Sequence, residues 1–350
     1  MIRQYSTLAA NIAVSNMTRV PFPYKLTYAI TYRCNYRCKT CSIWKRTPEH
    51  ELSLEEITRF FSTSNRFNWV HLTGGEIFLR NDLLDVAAVI IDRCPNLLML
   101  NFPTNGFLTD RIVSTIAKIA EMKPPKLFVT ISMDGDEPLN DDIRGVKGGW
   151  RRQIETFKQL HDIPGVDVAL GMTLSTYNIN QFEHTFAAAK AECPWMTYEH
   201  FHINIYHTAA YYGNEDQTLT QDENEQFIQE IDKYKRLRGM KLHPISYLEH
   251  AYLKHVPHYI RTGKTPIRCH ALRSSCFMDP MGTVFPCSMY DRPAGNIRDF
   301  EYDIRKIWQL ASTRAMQQDI WKSQCPHCWT PCEAYQSILG DFLQYPGFHK

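Results

Sequence analysis

The stretch "LTYAITYRCNYRCKTC", residues 26–41, decides how the rest of the chain is read. It joins an apolar run with the composition of a β-strand to three cysteines within eight positions, Cys34, Cys38 and Cys41. Three thiolates are one short of the four that close a structural metal site, so one coordination position is left for another ligand. Soft thiolate donors suit zinc or iron–sulfur.

Outward from this stretch, β-rich runs alternate with longer helical ones from residue 26 to about 205, the pattern of repeated βα units around a parallel sheet. Six strands are expected: "LTYAITY", "WVHLT", "LLMLNF", "KLFVTISM", "VDVALGMTL" and "EHFHINIY". Ser53 and Glu56 have capping-box spacing at the start of the first helix, and later helices are expected from Leu83 and Thr109. The expected fold is α/β, a partial (β/α)6 TIM-like barrel with a small C-terminal cysteine-rich domain. In such folds the loops after the strands carry the chemistry, which is where the cysteine triplet falls.

Expected divisions are an extension over 1–24, a core over 25–215, a helical linker over 216–260 and a cysteine-rich domain over 261–350. "LTQDENEQFIQEIDKYKRLRG" reads as a helix ended by Gly239, and "YLKHVPHYIRTGKTPIR" as a linker. "DPMGTVFPC" reads as a hairpin turning at Gly282, and "IRKIWQL" as a helix.

The 350 residues are 44% hydrophobic and 22% charged, enough for a large cored domain. A net charge of +2 argues against nucleic acid as the main partner. No run reaches the roughly 18 apolar residues of a membrane span, and no signal peptide is evident, so a cytoplasmic protein is expected. Residues 1–24 are expected to pack on the core. Eleven cysteines in a reducing compartment favour metal ligation over disulfides. Cys94 and Cys193, each before a proline at a helix end, read as buried structural thiols, whereas Cys269, Cys276, Cys287, Cys325, Cys328 and Cys332 crowd the last quarter.

The Cys-x3-Cys-x2-Cys spacing resembles the signature of the radical S-adenosylmethionine (SAM) superfamily. The resemblance implies a [4Fe-4S] cluster on Cys34, Cys38 and Cys41, with the amino and carboxylate groups of SAM on the fourth iron. Companion motifs follow at successive strand ends. Gly74, Gly75 and Glu76 resemble the family's GGE motif, which receives the methionine amino group, and Thr104 and Asn105 resemble its polar turn at the cofactor rim. Ser132 and Asp134 resemble the ribose-contacting pair, and Arg144 falls where a guanidinium meets the methionine carboxylate. One departure stands out: the position before the last cysteine, usually aromatic, is Thr40, with Tyr36 and Trp44 as substitutes near the adenine.

The tail, "CHALRSSCFMDPMGTVFPC" followed by "CPHCWTPC", resembles SPASM or twitch extensions and implies at least one auxiliary [4Fe-4S] cluster. Six thiols are too few for two fully ligated clusters, so one is expected, closed by any four of Cys276, Cys287, Cys325, Cys328 and Cys332, with Cys269 as a replacement or a bystander. A zinc ribbon on Cys276, Cys287, Cys325 and Cys328 is the alternative. His270 and His327 are expected beside the ligands or at the surface.

The implied activity is reductive SAM cleavage to a 5′-deoxyadenosyl radical and hydrogen abstraction from a small-molecule or peptide substrate, for oxidation, epimerisation or cross-linking. It implies a flavodoxin- or ferredoxin-type electron donor. A non-catalytic iron–sulfur electron-transfer or scaffold protein is the rival reading. His71, His202 and His207 are expected to be satisfied core histidines, so no general base is assigned.

Overall fold

The computed structural model describes residues 1–47, 49–214 and 221–342. The chain opens with α1 (Ile2–Met17), then β1 (Lys25–Thr31), α2 (Leu54–Thr63), β2 (Trp69–Gly74) and α3 (Leu83–Arg93). It continues through β3 (Met99–Thr104), α4 (Thr109–Glu121), β4 (Lys126–Ser132), α5 (Glu137–Arg144), α6 (Gly149–His161), β5 (Val166–Leu174), α7 (Phe182–Glu192) and β6 (Phe201–Ile205). Neighbouring strands from β1 to β6 pair in parallel and in sequence order, as βα units must when each crossover returns to the same side. All seven residues of β1 are buried, so its apolar run faces protein on both sides. The expected capping box forms: Ser53 Oγ accepts from Glu56 N at 3.2 Å, and Glu56 returns a carboxylate oxygen to Ser53 N at 3.0 Å.

The cysteine-rich tail is joined to the core sheet. After α8 (Gln221–Arg238) and α9 (Pro244–Thr262), β7 (Ser275–Met278) pairs in parallel with β1, Lys25 opposite Ser275. Strands β8 (Thr283–Phe285) and β9 (Gly295–Asn296) extend the same sheet antiparallel. The result is one nine-stranded sheet with β1 near its middle. Gly282, at φ +84°, makes the expected β7–β8 turn. The segment read as a linker is largely helix α9, which continues through Pro257. The boundary expected at residue 215 lies outside the described residues.

Helices α10 (Ile304–Gln309), α11 (Ala311–Trp321) and α12 (Pro331–Gly340) complete the chain. α1 packs on the core as expected: Asn11 Nδ2 donates to Asn68 Oδ1 at 2.8 Å, and Asn16 Nδ2 to the Leu339 carbonyl at 2.8 Å. Cys94 and Cys193 cap α3 and α7 and are buried. Among the described residues no helix is long and apolar enough to cross a membrane.

Candidate functional site

The loop that leaves β1 is fixed from several sides. Glu51 accepts from Thr31 Oγ1 at 2.9 Å and from Tyr32 N at 2.8 Å, which fixes the strand end. Lys39 N donates to the Ile143 carbonyl at 2.8 Å, and Asn105 Nδ2 to Asn35 Oδ1 at 2.7 Å, tying the loop to α5 and the end of β3. Beyond β6, Asn214 Nδ2 donates to the Thr40 carbonyl at 3.0 Å, and Tyr212 accepts from Ser42 N at 2.7 Å. With its backbone polar groups satisfied this way, the loop presents Cys34, Cys38 and Cys41 to a cavity of about 260 Å³ at the C-terminal ends of the strands. Gly74, Gly75, Thr104, Asn105, Ser132 and Arg144 line the same cavity. Trp44 is also at its edge, and so is Tyr36, which is buried edge-on to Phe107.

The glycines are required by backbone packing as well as by a ligand. A Cβ on Gly74, at φ +135°, would stand 2.2 Å from the Thr31 carbonyl oxygen, and one on Gly75 would stand 2.2 Å from that of Arg33. This close approach brings the second strand end against the cysteine loop.

Glu76 and Asp134 are not among the residues on the cavity wall. Glu76 is fully buried and accepts from Thr104 Oγ1 at 2.9 Å, Asn105 N at 2.7 Å and Phe78 N at 3.2 Å. Burial pushes its pKa up to about 7, against the pull of these three donors. Asp134 pairs with Arg144 at 2.8 Å and accepts from Thr173 N at 2.8 Å. Arg144 thereby reaches Cys38 Sγ with Nη1 at 3.9 Å, while its buried Nε has no hydrogen-bond partner. Burial raises the thiol of Cys34 to about 12 and that of Cys41 to about 11, so ligation must displace their protons.

The six tail cysteines separate. Cys269, Cys287 and Cys328 lie within electrostatic reach of one another, and Cys325 within reach of Cys269 and Cys328. Cys276 lies buried on β7, opposite Leu26, and Cys332 lines the cavity instead. Among the described residues no trio of His, Cys, Asp or Glu already has closed metal-ligand geometry. His270 lies fully buried against Trp321, and His327 Nδ1 accepts from Thr265 N at 3.3 Å.

Comparison with known proteins bears on both cysteine groups. The profile described as the Radical SAM superfamily matches residues 28–189, and SPASM, an iron–sulfur cluster-binding domain, matches residues 269–329. The chain is a radical SAM enzyme with a SPASM domain. The enzyme is 23% identical over 304 residues to the AdoMet-dependent heme synthase of Methanosarcina barkeri (strain Fusaro / DSM 804), covering 78% of this chain and 79% of the relative. The heme synthase of Nitratidesulfovibrio vulgaris is 22% identical, over 77% of this chain and 72% of its own. Among solved structures, anSMEcpe with bound AdoMet superposes with a TM-score of 0.61 at 13% identity, covering 92% of this chain and 98% of that one. SuiB of Streptococcus suis bound to S-adenosylmethionine superposes at 0.59 and 15% identity, over 85% and 68%. At these identities the superpositions establish the fold.

The family chemistry requires SAM, a [4Fe-4S] cluster at the radical site and auxiliary iron–sulfur, and the residues present fit. Three thiols share a cavity with Arg144, and four tail thiols lie within electrostatic reach of one or more of the others.

The histidines are occupied in structural work. His202 pairs with Glu249 at 2.7 Å and Asn204 at 2.9 Å. His207 donates from Nδ1 to the Ile205 carbonyl at 2.8 Å and accepts from Trp329 N at 3.1 Å, and His71 bonds Asn101. Asn204, His207 and Tyr212 line the enzyme's cavity and were missed as site residues. Their position at and just beyond the end of the sixth strand was the available signal.

Proposed function

We propose that the enzyme abstracts a hydrogen atom from a C–H bond of a small-molecule substrate in the cavity, for oxidation, epimerisation or cross-linking, with SAM as cosubstrate. The observation that carries this reading is the convergence of Cys34, Cys38, Cys41 and Arg144 on one cavity with Gly74 and Gly75. In this reading the three cysteines hold the cluster, whose chemistry when bound is one-electron cleavage of the sulfonium. Arg144 receives the methionine carboxylate, the Gly74–Gly75 backbone the amino group, and Ser132 the ribose. Thr104 and Asn105 shape the rim. Glu76 and Asp134 act one step back: Glu76 holds the Thr104–Asn105 turn, and Asp134 aims Arg144.

Cys269, Cys287, Cys325 and Cys328 are proposed as the auxiliary ligands, in place of a set that includes Cys276 or Cys332. An acidic flavodoxin- or ferredoxin-type protein supplies electrons in this reading.

The heme synthases that align over about three quarters of the chain, together with the Fe-coproporphyrin III synthase of M. barkeri at 27% identity over 146 residues, favour a tetrapyrrole over a peptide. The cavity is at the small end for a ligand site, so it would enclose SAM's reactive end and one substrate side chain rather than a whole macrocycle. The test is 5′-deoxyadenosine release by anaerobically reconstituted enzyme. A several-fold stimulation by Fe-coproporphyrin III supports the tetrapyrrole, and stimulation only by peptides refutes it.

A further inference from the structure

A second cavity, of about 370 Å³, lies where the connection from α1 to β1 meets α10 and α11, and it shares no residue with the radical-site cavity. Its wall carries two arginines, Arg19 and Arg314, and three glutamines, Gln309, Gln317 and Gln318, with no aspartate or glutamate. Arg19 is held in place by the fold. Its Nε donates to the Leu272 carbonyl at 2.9 Å and its Nη2 to the Trp308 carbonyl, and the guanidinium lies 4.3 Å over the Trp308 ring. Trp308 is itself buried and donates from Nε1 to the Val20 carbonyl at 2.8 Å, so ring and arginine are fixed together. These bonds leave Arg19 Nη1 without a partner among the described residues. Arg314, Gln317 and Gln318 have the spacing that puts them on one face of α11. Gln317 is only 8% exposed, and its side-chain amide has no hydrogen-bond partner among the described residues. A buried amide left unbonded is unfavourable, and a ligand oxygen would satisfy it.

The charges on this wall are not balanced by the protein. Arg80, Arg144 and Arg298 each pair with a carboxylate, whereas the groups acting on Arg19 are its own burial and the charge of Arg314, which together bring its pKa down to about 10. Two guanidinium charges without a counter-ion suit an anion of charge near −2. A phosphate monoester carries about −1.5 to −2 at neutral pH and three acceptor oxygens, which match the N–H forks of arginine and the amide of glutamine. A single carboxylate brings one charge and two oxygens. The cavity falls within the roughly 300–1,000 Å³ of ligand sites, so it has room for more than a bare ion. We propose that this second cavity binds a phosphate group, gripped by Arg19 and Arg314 with Gln317 donating beside them. A ligand held there fastens α11, which lies in the SPASM domain, to the segment that leads into β1. The site stands apart from the SAM reading and does not depend on it.

The test is calorimetric titration of holoenzyme, in phosphate-free buffer, with sodium phosphate and separately with phenyl phosphate, alongside thermal melts. Both probes should bind and raise the melting midpoint, and sodium chloride at matched ionic strength should do neither. Arg314 is exposed, so Arg314→Met removes a charge without opening the core, and it should weaken phosphate binding by about tenfold or more. Gln317→Leu keeps an apolar side chain of similar length at a buried position and should weaken binding several-fold. Tighter binding of phenyl phosphate than of phosphate would identify a phosphate ester as the ligand, and equal binding would identify the free ion. No binding of either probe to the wild type, an equal response to chloride, or unchanged affinity in both variants would each overturn the site.

Discussion

Arg144 Nη2 lies 2.8 Å from the Asp134 carboxylate, and this ion pair holds the guanidinium with Nη1 3.9 Å from Cys38 Sγ. Both partners are buried, so removing one charge leaves the other uncompensated. Asp134→Asn should therefore cost about 3–5 kcal/mol of stability and loosen Arg144. Denaturant unfolding and SAM titration check this together. A variant as stable as wild type with unchanged SAM affinity would show that Asp134 does not position Arg144.

Glu76→Gln replaces an acceptor of three hydrogen bonds with a group that can accept through one oxygen only, and should cost about 1–3 kcal/mol. Its folded pKa of about 7 lies above the ordinary 4.5, so its stabilising protonation is full below pH 4.5 and is lost as pH rises through 7. The variant's stability should accordingly change less than that of wild type between those limits. Parallel pH profiles in chemical denaturation would contradict the assignment.

Glu56 links α2 to the tail through a two-pronged pair with Arg298, at 2.6 and 3.0 Å. The hydrogen bonds from Arg298 lower its pKa to about 2, so this contribution is present above pH 4.5 and is lost as pH falls through 2. The pair is partly exposed, and Arg298→Met should cost only about 1 kcal/mol at neutral pH. The gap between variant and wild type should close on acidification, read by thermal melts.

What the sequence made legible follows from the range of the interactions involved. The six βα units and the Ser53–Glu56 cap are local patterns, and they appear at the expected positions. The pairing of Lys25 with Ser275 joins residues far apart in sequence and has no local signal, so β7 was not expected to extend the core sheet. The stretch "YLKHVPHYIRTGKTPIR" reads as a linker, although α9 runs through Pro257 and packs Val256 and its neighbours in the core. Motifs marked the strand ends, and the partners of each side chain there come from the fold. Glu76 accepts from Thr104 and Asp134 pairs with Arg144, and Cys332 is on the cavity wall although it sits in a cysteine-rich turn.

For the tail, Cys269→Ala, Cys287→Ala, Cys325→Ala and Cys328→Ala are each expected to disrupt the auxiliary cluster, whereas Cys276→Ala should spare it. On a four-iron cluster, about four irons per chain should remain at the radical site when the auxiliary cluster is absent. Iron and sulfide analysis decides, and zinc in place of iron would point to a ribbon.

The most direct test of the central claim is SAM cleavage by anaerobically reconstituted enzyme under dithionite, measured as 5′-deoxyadenosine and methionine. The wild type should release both in equal amounts, and the Cys34→Ala/Cys38→Ala/Cys41→Ala variant should release neither. Cleavage that persists in the triple variant would contradict the account.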